Sequence, residues 1–414
     1  MQKAPEPSLI TLPGGMRLVH LHLRSAGSGI FGISVRAGSA DEQCGKEGLA
    51  HFVEHTIFKG TRKRSSWHII NRMEAVGGEL NAFTSKEETV VYSIFPSGNA
   101  PRAIELIADL ATNSQFPEHE LEKEREVVID EINSYLDTPS DAIFDDFEEE
   151  AFRGCPLAHN ILGDADSVRK LTGADCRKFL SDNYRSENIV AFYSGPQSPA
   201  QIESLVAKYF SSLPVGPKII TSADASAVKY ADFELCRRLD IHQTHAVLGT
   251  VTPGIADASR HAVSLFANII GGPGMNSLLN VELRERRGLV YSVEATTSMY
   301  TLCGLLTVYF GCDSEDIGRC RDICRRVFRS IADGKFTGRH LDKAKKQYLG
   351  QLAIASENRE NRIMAAARAA SFRGEVASLE MTAEAIHSVT LNEIQALANK
   401  MESPASLVFI STDS

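Results

Sequence analysis

The sequence predicts an α+β protein of two homologous domains, each a mostly antiparallel sheet packed with helices. Three observations carry that reading. At 414 residues the chain is longer than one hydrophobic core usually organises. The order of expected elements recurs, first within residues 1–213 and again within 230–414, which is the mark of a duplication. Between the copies, residues 214–229 hold Pro214, Gly216, Pro217 and a Ser/Ala-rich run, the composition of a linker.

In the first copy, Leu18–Leu23 and Phe31–Arg36 have the β-branched and aromatic content of strands. A helix from Leu49 to Phe58 follows, with Gly60 placed for a left-handed cap. Ser66–Val76 is a second helix, stopped by Gly77 and Gly78. Leu80–Thr84 and Thr89–Phe95 form an antiparallel pair, and helices follow at Pro101–Asn113, Pro117–Leu136, Ser140–Phe152 and Gly173–Asn183. Ile189–Ser194 closes the copy as a strand, with a helix at Pro199–Phe210 beyond it. The second copy repeats this as strand Ala246–Val251, helix Ser259–Ile270, strand pair Leu289–Thr296 and Gly304–Phe310, helices Ser314–Asp333 and Thr337–Glu357, and closing strand Ser406–Ser411.

Composition narrows the classes of function. With 43% apolar and 23% charged residues the chain is an ordinary globular protein. Its net charge of −9 gives no electrostatic support for a nucleic-acid partner. No apolar run is long enough to span a bilayer, and Met1–Ile10 lacks a basic start and an apolar core, so no membrane partner is expected and a cytoplasmic location is. The eight cysteines show no disulfide framework and no paired C-x-x-C sites. The basic run Lys59–Arg64 reads as a solvated exit from the preceding helix.

That preceding helix carries the chemistry. On Leu49–Phe58 the ionisable side chains are His51, Glu54 and His55, at i, i+3 and i+4. The spacing stacks them on one face, with Cβ atoms roughly 5–6 Å apart. Leu49, Phe52, Val53, Ile57 and Phe58 make the rest apolar nearly all round, as in a buried helix. A buried carboxylate between two imidazoles is costly unless something compensates it, and a divalent cation does. The pattern is H-x-x-E-H, which supplies two zinc ligands on a rigid element and a glutamate able to act as general base. A catalytic zinc needs a third protein ligand. On Pro117–Leu136, Leu121, Val128, Ile132 and Tyr135 form the apolar stripe, while Glu122, Glu126 and Asp130 fall on the solvated side. Glu124 and Glu131 share one flank of the stripe, and either could reach a metal held by a neighbouring helix.

Several segments together carry a resemblance: GLAHFVEHTIFKGT at 48–61, GGELNAFTSKEET at 77–89, EREVVIDEI at 124–132, Ile161–Gly163, and LRERRGLVY at 283–291. On these the chain resembles the pitrilysin or insulinase-like M16 metallopeptidases, especially the short two-domain branch related to mitochondrial processing peptidase. The resemblance implies one zinc ion per chain held by His51, His55 and Glu131, with Glu54 as general base and Glu124 as an accessory acid supporting the site. It further implies that Asn81 and Ala82 pair with the backbone of a peptide substrate, and that Arg284 and Tyr291 contact the scissile region. The domain 230–414 lacks the H-x-x-E-H pattern, so the resemblance puts the metal in the first domain only. Leu278 stands where many relatives carry an arginine, within the glycine-rich stretch 271–280. By the same resemblance the chain is expected to be a zinc endopeptidase acting on unfolded peptides inside a homodimeric chamber. The competing readings are a non-catalytic scaffold or chaperone-like subunit, and the active half of a heterodimer.

Overall fold

A computed structural model describes residues 5–218, 230 and 232–412. Of the linker expected at 214–229, residues 219–229 lie outside the described residues. The rest forms two compact units.

The first unit holds residues 5–133, 159–218 and 355–378. Among the described residues its sheet has six strands: β1 (Ser8–Thr11), β2 (Arg17–His22), β3 (Ser28–Val35), β4 (Glu79–Thr84), β5 (Thr89–Pro96) and β6 (Ile189–Gly195). They lie in the order β1-β2-β6-β3-β5-β4, with β2 and β6 parallel and every other neighbouring pair antiparallel. Among the described residues β4 is therefore an edge strand, paired on one side only. Successive side chains of a strand point to opposite faces, so a sheet buried on both sides needs two covering layers. Phe31, Ile33, Val35 and Val91 meet one layer, built from α1 (Leu49–Thr56), α2 (Ser66–Glu74), α3 (Ala100–Asn113) and α4 (Glu118–Leu136). Val19, Leu21, Ile30, Val90 and Phe192 face the other way, against Ile363, Ala366, Ala367 and Ala370 of the helix Arg359–Arg373. The small alanines let that helix lie close to the sheet. Arg17 donates to the Ala370 carbonyl, and Arg368 pairs with the buried Glu88 at 3.0 Å.

The second unit holds residues 134–158, 230, 232–354 and 379–412. Its strands are β7 (Glu234–Leu239), β8 (Thr244–Pro253), β9 (Val290–Met299), β10 (Cys303–Cys312) and β11 (Ala405–Ser411), in the order β7-β11-β8-β10-β9. Replacing these by β2, β6, β3, β5 and β4 reproduces the first sheet apart from its edge strand β1, including its one parallel pair. The α+β class is as expected, and the duplication recurs strand by strand. Ala246, Leu248, Leu306 and Val308 pack on the helices Arg260–Gly271 and Ile317–Ala332. The opposite face takes Phe147 of the helix Pro139–Ala151, whose ring occupies the space a Cβ at Gly249 would need. Arg237 joins this helix to β7 through Asp146 and Glu150.

The compact units thus differ from the contiguous halves expected at 1–213 and 230–414. Residues 134–158 join the second unit and 355–378 the first. Each sheet's remaining apolar face is covered by a helix that lies in the other half of the sequence. The sequence reading also ended its helices at Glu357, whereas Arg359–Arg373, Leu379–Ser388 and Leu391–Lys400 are helical, and it did not assign β1 or β7. No helix among the described residues is long and apolar enough to cross a membrane. All eight cysteines are free thiols.

Candidate metal centre

The centre is built on α1, and α1 is held at its start by a carboxylate. Glu42 accepts from the backbone N–H of Gly48 (2.9 Å) and of Ala50 (2.7 Å), two of the donors a helix start leaves unpaired. His159 reaches the same carboxylate at 2.9 Å. Gly48 has φ 89, and a Cβ there would lie 2.5 Å from the Leu162 carbonyl. Glycine is required at that contact, which seats Ile161–Gly163 against the helix.

From this base, His51 and His55 project one turn apart with ring centroids 4.5 Å from each other. Glu131 comes from α4 to meet both: its Oε2 is 3.7 Å from His51 Nε2 and 3.2 Å from His55 Nε2. One donor atom from each of the three residues lies within 4.8 Å of the other two. Tetrahedral zinc with bonds of about 2.0–2.2 Å spaces its ligand atoms about 3.3–3.6 Å apart, so the donor set fits that ion. Burial and the neighbouring His55 push the His51 pKa down to about 3, leaving a neutral ring. Burial also pulls His55 down, but the Glu124 hydrogen bond and the charges of Glu131 and Glu54 more than reverse it.

The two carboxylates of α4 take different places. Glu131 is the more exposed, at 45% of its side chain. Glu124 is buried and accepts from His55 Nδ1 at 3.1 Å and from Lys59 Nζ at 2.7 Å. Because a carboxylate only accepts, Nδ1 donates its proton to Glu124, which leaves Nε2 as the atom that would ligate a cation lying between it and Glu131. His51 Nδ1, by contrast, is buried with no hydrogen-bond partner among the described residues. Replacing Glu124 by glutamine removes the charge that fixes the His55 tautomer. Zinc affinity, measured by competition with a chromophoric chelator, is expected to fall about 10–100-fold, with little change in the melting temperature of the zinc-free chain. An unaltered affinity would remove Glu124 from the site.

Lys59 was expected on a solvated exit; its ammonium instead neutralises Glu124. Arg64 of the same run is tied to Asp109 and Glu105. Neither contact has a local sequence signature, because the partners lie on other helices.

Glu54, on the same face of α1, lies against Thr84 at the end of β4. Burial raises its pKa, Thr84 and His55 oppose that, and Glu131 adds to it. A cleft of about 400 Å³ opens beside it, lined by Glu54, His55, Phe58, Leu80, Asn81 and Ala82. Asn81 and Ala82 sit on the edge strand β4, opposite Tyr92 and Val91 of β5. The structure therefore brings His51, Glu54, His55, Glu124, Glu131, Asn81 and Ala82 into one region. Arg284 and Tyr291 belong to the second unit. Arg284 is exposed on the π-helical turn Asn280–Glu285, and Tyr291, 65% exposed on the edge strand β9, donates to Asp313 at 3.2 Å.

Residues 20–165 match the family model for insulinase (peptidase family M16). Residues 170–348 match that of the peptidase M16 inactive domain. The chain belongs to the M16 peptidase family. Among its relatives, an uncharacterized zinc protease of Mycobacterium tuberculosis is 34% identical over 95% of this chain and 90% of its own length. Another, from Streptomyces coelicolor, is 34% identical over 94% of this chain and 85% of its own. The fold is shared with a protease from Helicobacter pylori, at a TM-score of 0.87 and 20% identity over 99% of this chain and 100% of that one.

Proposed function

We propose that this M16 member is a zinc endopeptidase acting on unfolded peptides, with His51, His55 and Glu131 as ligands and Glu54 as general base. The observation that carries this is the convergence of those three donor atoms beside Glu54, at a sheet edge with a free side. Zinc held there supplies Lewis acidity toward the scissile carbonyl and makes water acidic enough to lose a proton near neutrality.

The chain's own residues do the rest. The free edge of β4 at Asn81 and Ala82 takes an extended peptide as an added strand, through main-chain bonds that read little of its sequence. Glu54 accepts the proton of the attacking water and passes it to the leaving amine nitrogen. Glu124 holds the His55 ring in place, and Lys59 keeps Glu124 ionised. Only an extended segment fits along β4, which favours unfolded peptides over folded proteins. A metal chelator should abolish cleavage of an internally quenched peptide, added zinc should restore it, and a tightly folded protein should stay uncut throughout. Cleavage that persists in the chelated enzyme overturns the assignment.

The chain works as a homodimer in this reading, with Arg284 and Tyr291 of one copy donating hydrogen bonds to the oxyanion at the other copy's metal centre. Glu54→Gln and Tyr291→Phe chains, each inactive alone, should regain activity on mixing. Mixtures that stay inactive would exclude action in trans.

A further inference from the structure

The second unit carries a cleft of about 350 Å³, at the small end of ligand pockets, and none of the residues given a role above lines it. Its floor is apolar: Ile323 and Ile331 are each 2% exposed, and Phe336 is 9% exposed. Its mouth is cationic, with Arg326, Lys335 and His340.

Among the described residues two of these cations lack a carboxylate partner, as does Arg325 of the helix Ile317–Ala332, which does not line the cleft. On the helix Ile317–Ala332, Arg319 faces Asp316 at 3.8 Å, Arg321 pairs with Glu234, and Arg329 pairs with Glu402 at 3.1 Å. Arg326 and Lys335, over the cleft, have no carboxylate partner among the described residues. The cleft's own carboxylate, Glu282, is held by Arg286 and Arg287, so it leaves the two cations uncompensated. His340 Nδ1 accepts from the Thr337 N–H at 3.1 Å, which places its proton on Nε2 as a further donor.

We propose that this cleft binds the free C-terminal end of a peptide, with an apolar last side chain on the Ile323–Phe336 floor and the α-carboxylate at Arg326 and Lys335. The guanidinium fork matches a carboxylate with two parallel bonds, and the ammonium adds a second positive charge. Glu282 separates a peptide from a simple acyl anion of the same charge. Its oxygens have lone pairs left beyond the two arginine bonds, and a peptide offers them an N–H that an acyl chain lacks. The proposal rests on the peptidase reading for the source of such ends, since each amide cut creates one.

Calorimetric titration of the full chain, as Glu54→Gln so that the probe stays intact, tests it with N-acetyl-Ala-Leu-Phe, the amide of that peptide, and octanoate. Beside any binding along β4 that acid and amide share, the acid should fill a further site that the amide fills at least tenfold more weakly, and octanoate should fail to displace the acid from it. The Arg326→Gln/Lys335→Gln pair, added to that chain, should weaken the acid at least tenfold and keep the melting temperature. The same pair in the otherwise native enzyme should cleave a quenched peptide amide at the native rate. Equal binding of acid and amide, displacement by octanoate, or undiminished binding to the double variant each overturns the proposal. Absence of binding to the parent chain does too. Lack of cleavage by the native enzyme would instead overturn the peptidase reading and leave the calorimetric result standing.

Discussion

Exchanging Glu54 for glutamine is expected to lower peptide hydrolysis by about 10²–10⁴-fold, the usual share of a positioned general base. Zinc content should stay at the native level. Glutamine keeps the shape and most of the volume of the side chain, so the packing of α1 against β4 survives. What disappears is the ability to take a proton and hand it on. The two readouts answer different questions, because a zinc ligand and a base respond differently to the same change. A ligand would be lost together with the metal, whereas a base is lost with the metal retained. Initial rates on a quenched peptide, paired with elemental analysis of the same sample, separate the two. Undiminished rates would remove Glu54 from the mechanism, and loss of zinc would recast it as a ligand.

How much of this centre was visible in the sequence follows from how local each relation is. His51, Glu54 and His55 are one helical turn apart, so helical geometry alone places them together. Glu124 and Glu131 share a helix flank, and periodicity could not say which would meet the imidazoles first. The structure separates them through Lys59, which neutralises Glu124 and lets that carboxylate be buried, while Glu131 stays exposed over the donor atoms. Glu42 and His159 were missed altogether. They meet across 117 residues, and the cap they make is no standard three-residue box, so no spacing rule applies. The exchange was missed for a related reason, although the sequence reading did place a helix at Ser140–Phe152. The helix Arg359–Arg373 buries mostly alanines, which read as helix formers without marking a sheet-covering stripe. The duplication, by contrast, was legible, because it resides in the order of elements, and that order is linear.

The remaining large effect concerns Glu131. Changing it to glutamine should lower zinc affinity by more than about 100-fold, beyond what loss of an outer partner costs. A neutral amide oxygen is a poorer ligand for a divalent cation than a carboxylate, and it leaves two imidazoles on a short helix as the other protein ligands. The consequence extends to stability. An ion bound only by the folded chain raises unfolding free energy by about 2.7 kcal/mol at a hundredfold excess over its dissociation constant. The native chain should therefore melt higher when zinc is added. The Glu131→Gln chain should show little of that rise at the same zinc concentration. Calorimetric melting of both chains, with and without zinc, gives four values that decide the point. Equal zinc-induced shifts in the two chains would show that the ion is held elsewhere, and the peptidase assignment would fall with its third ligand.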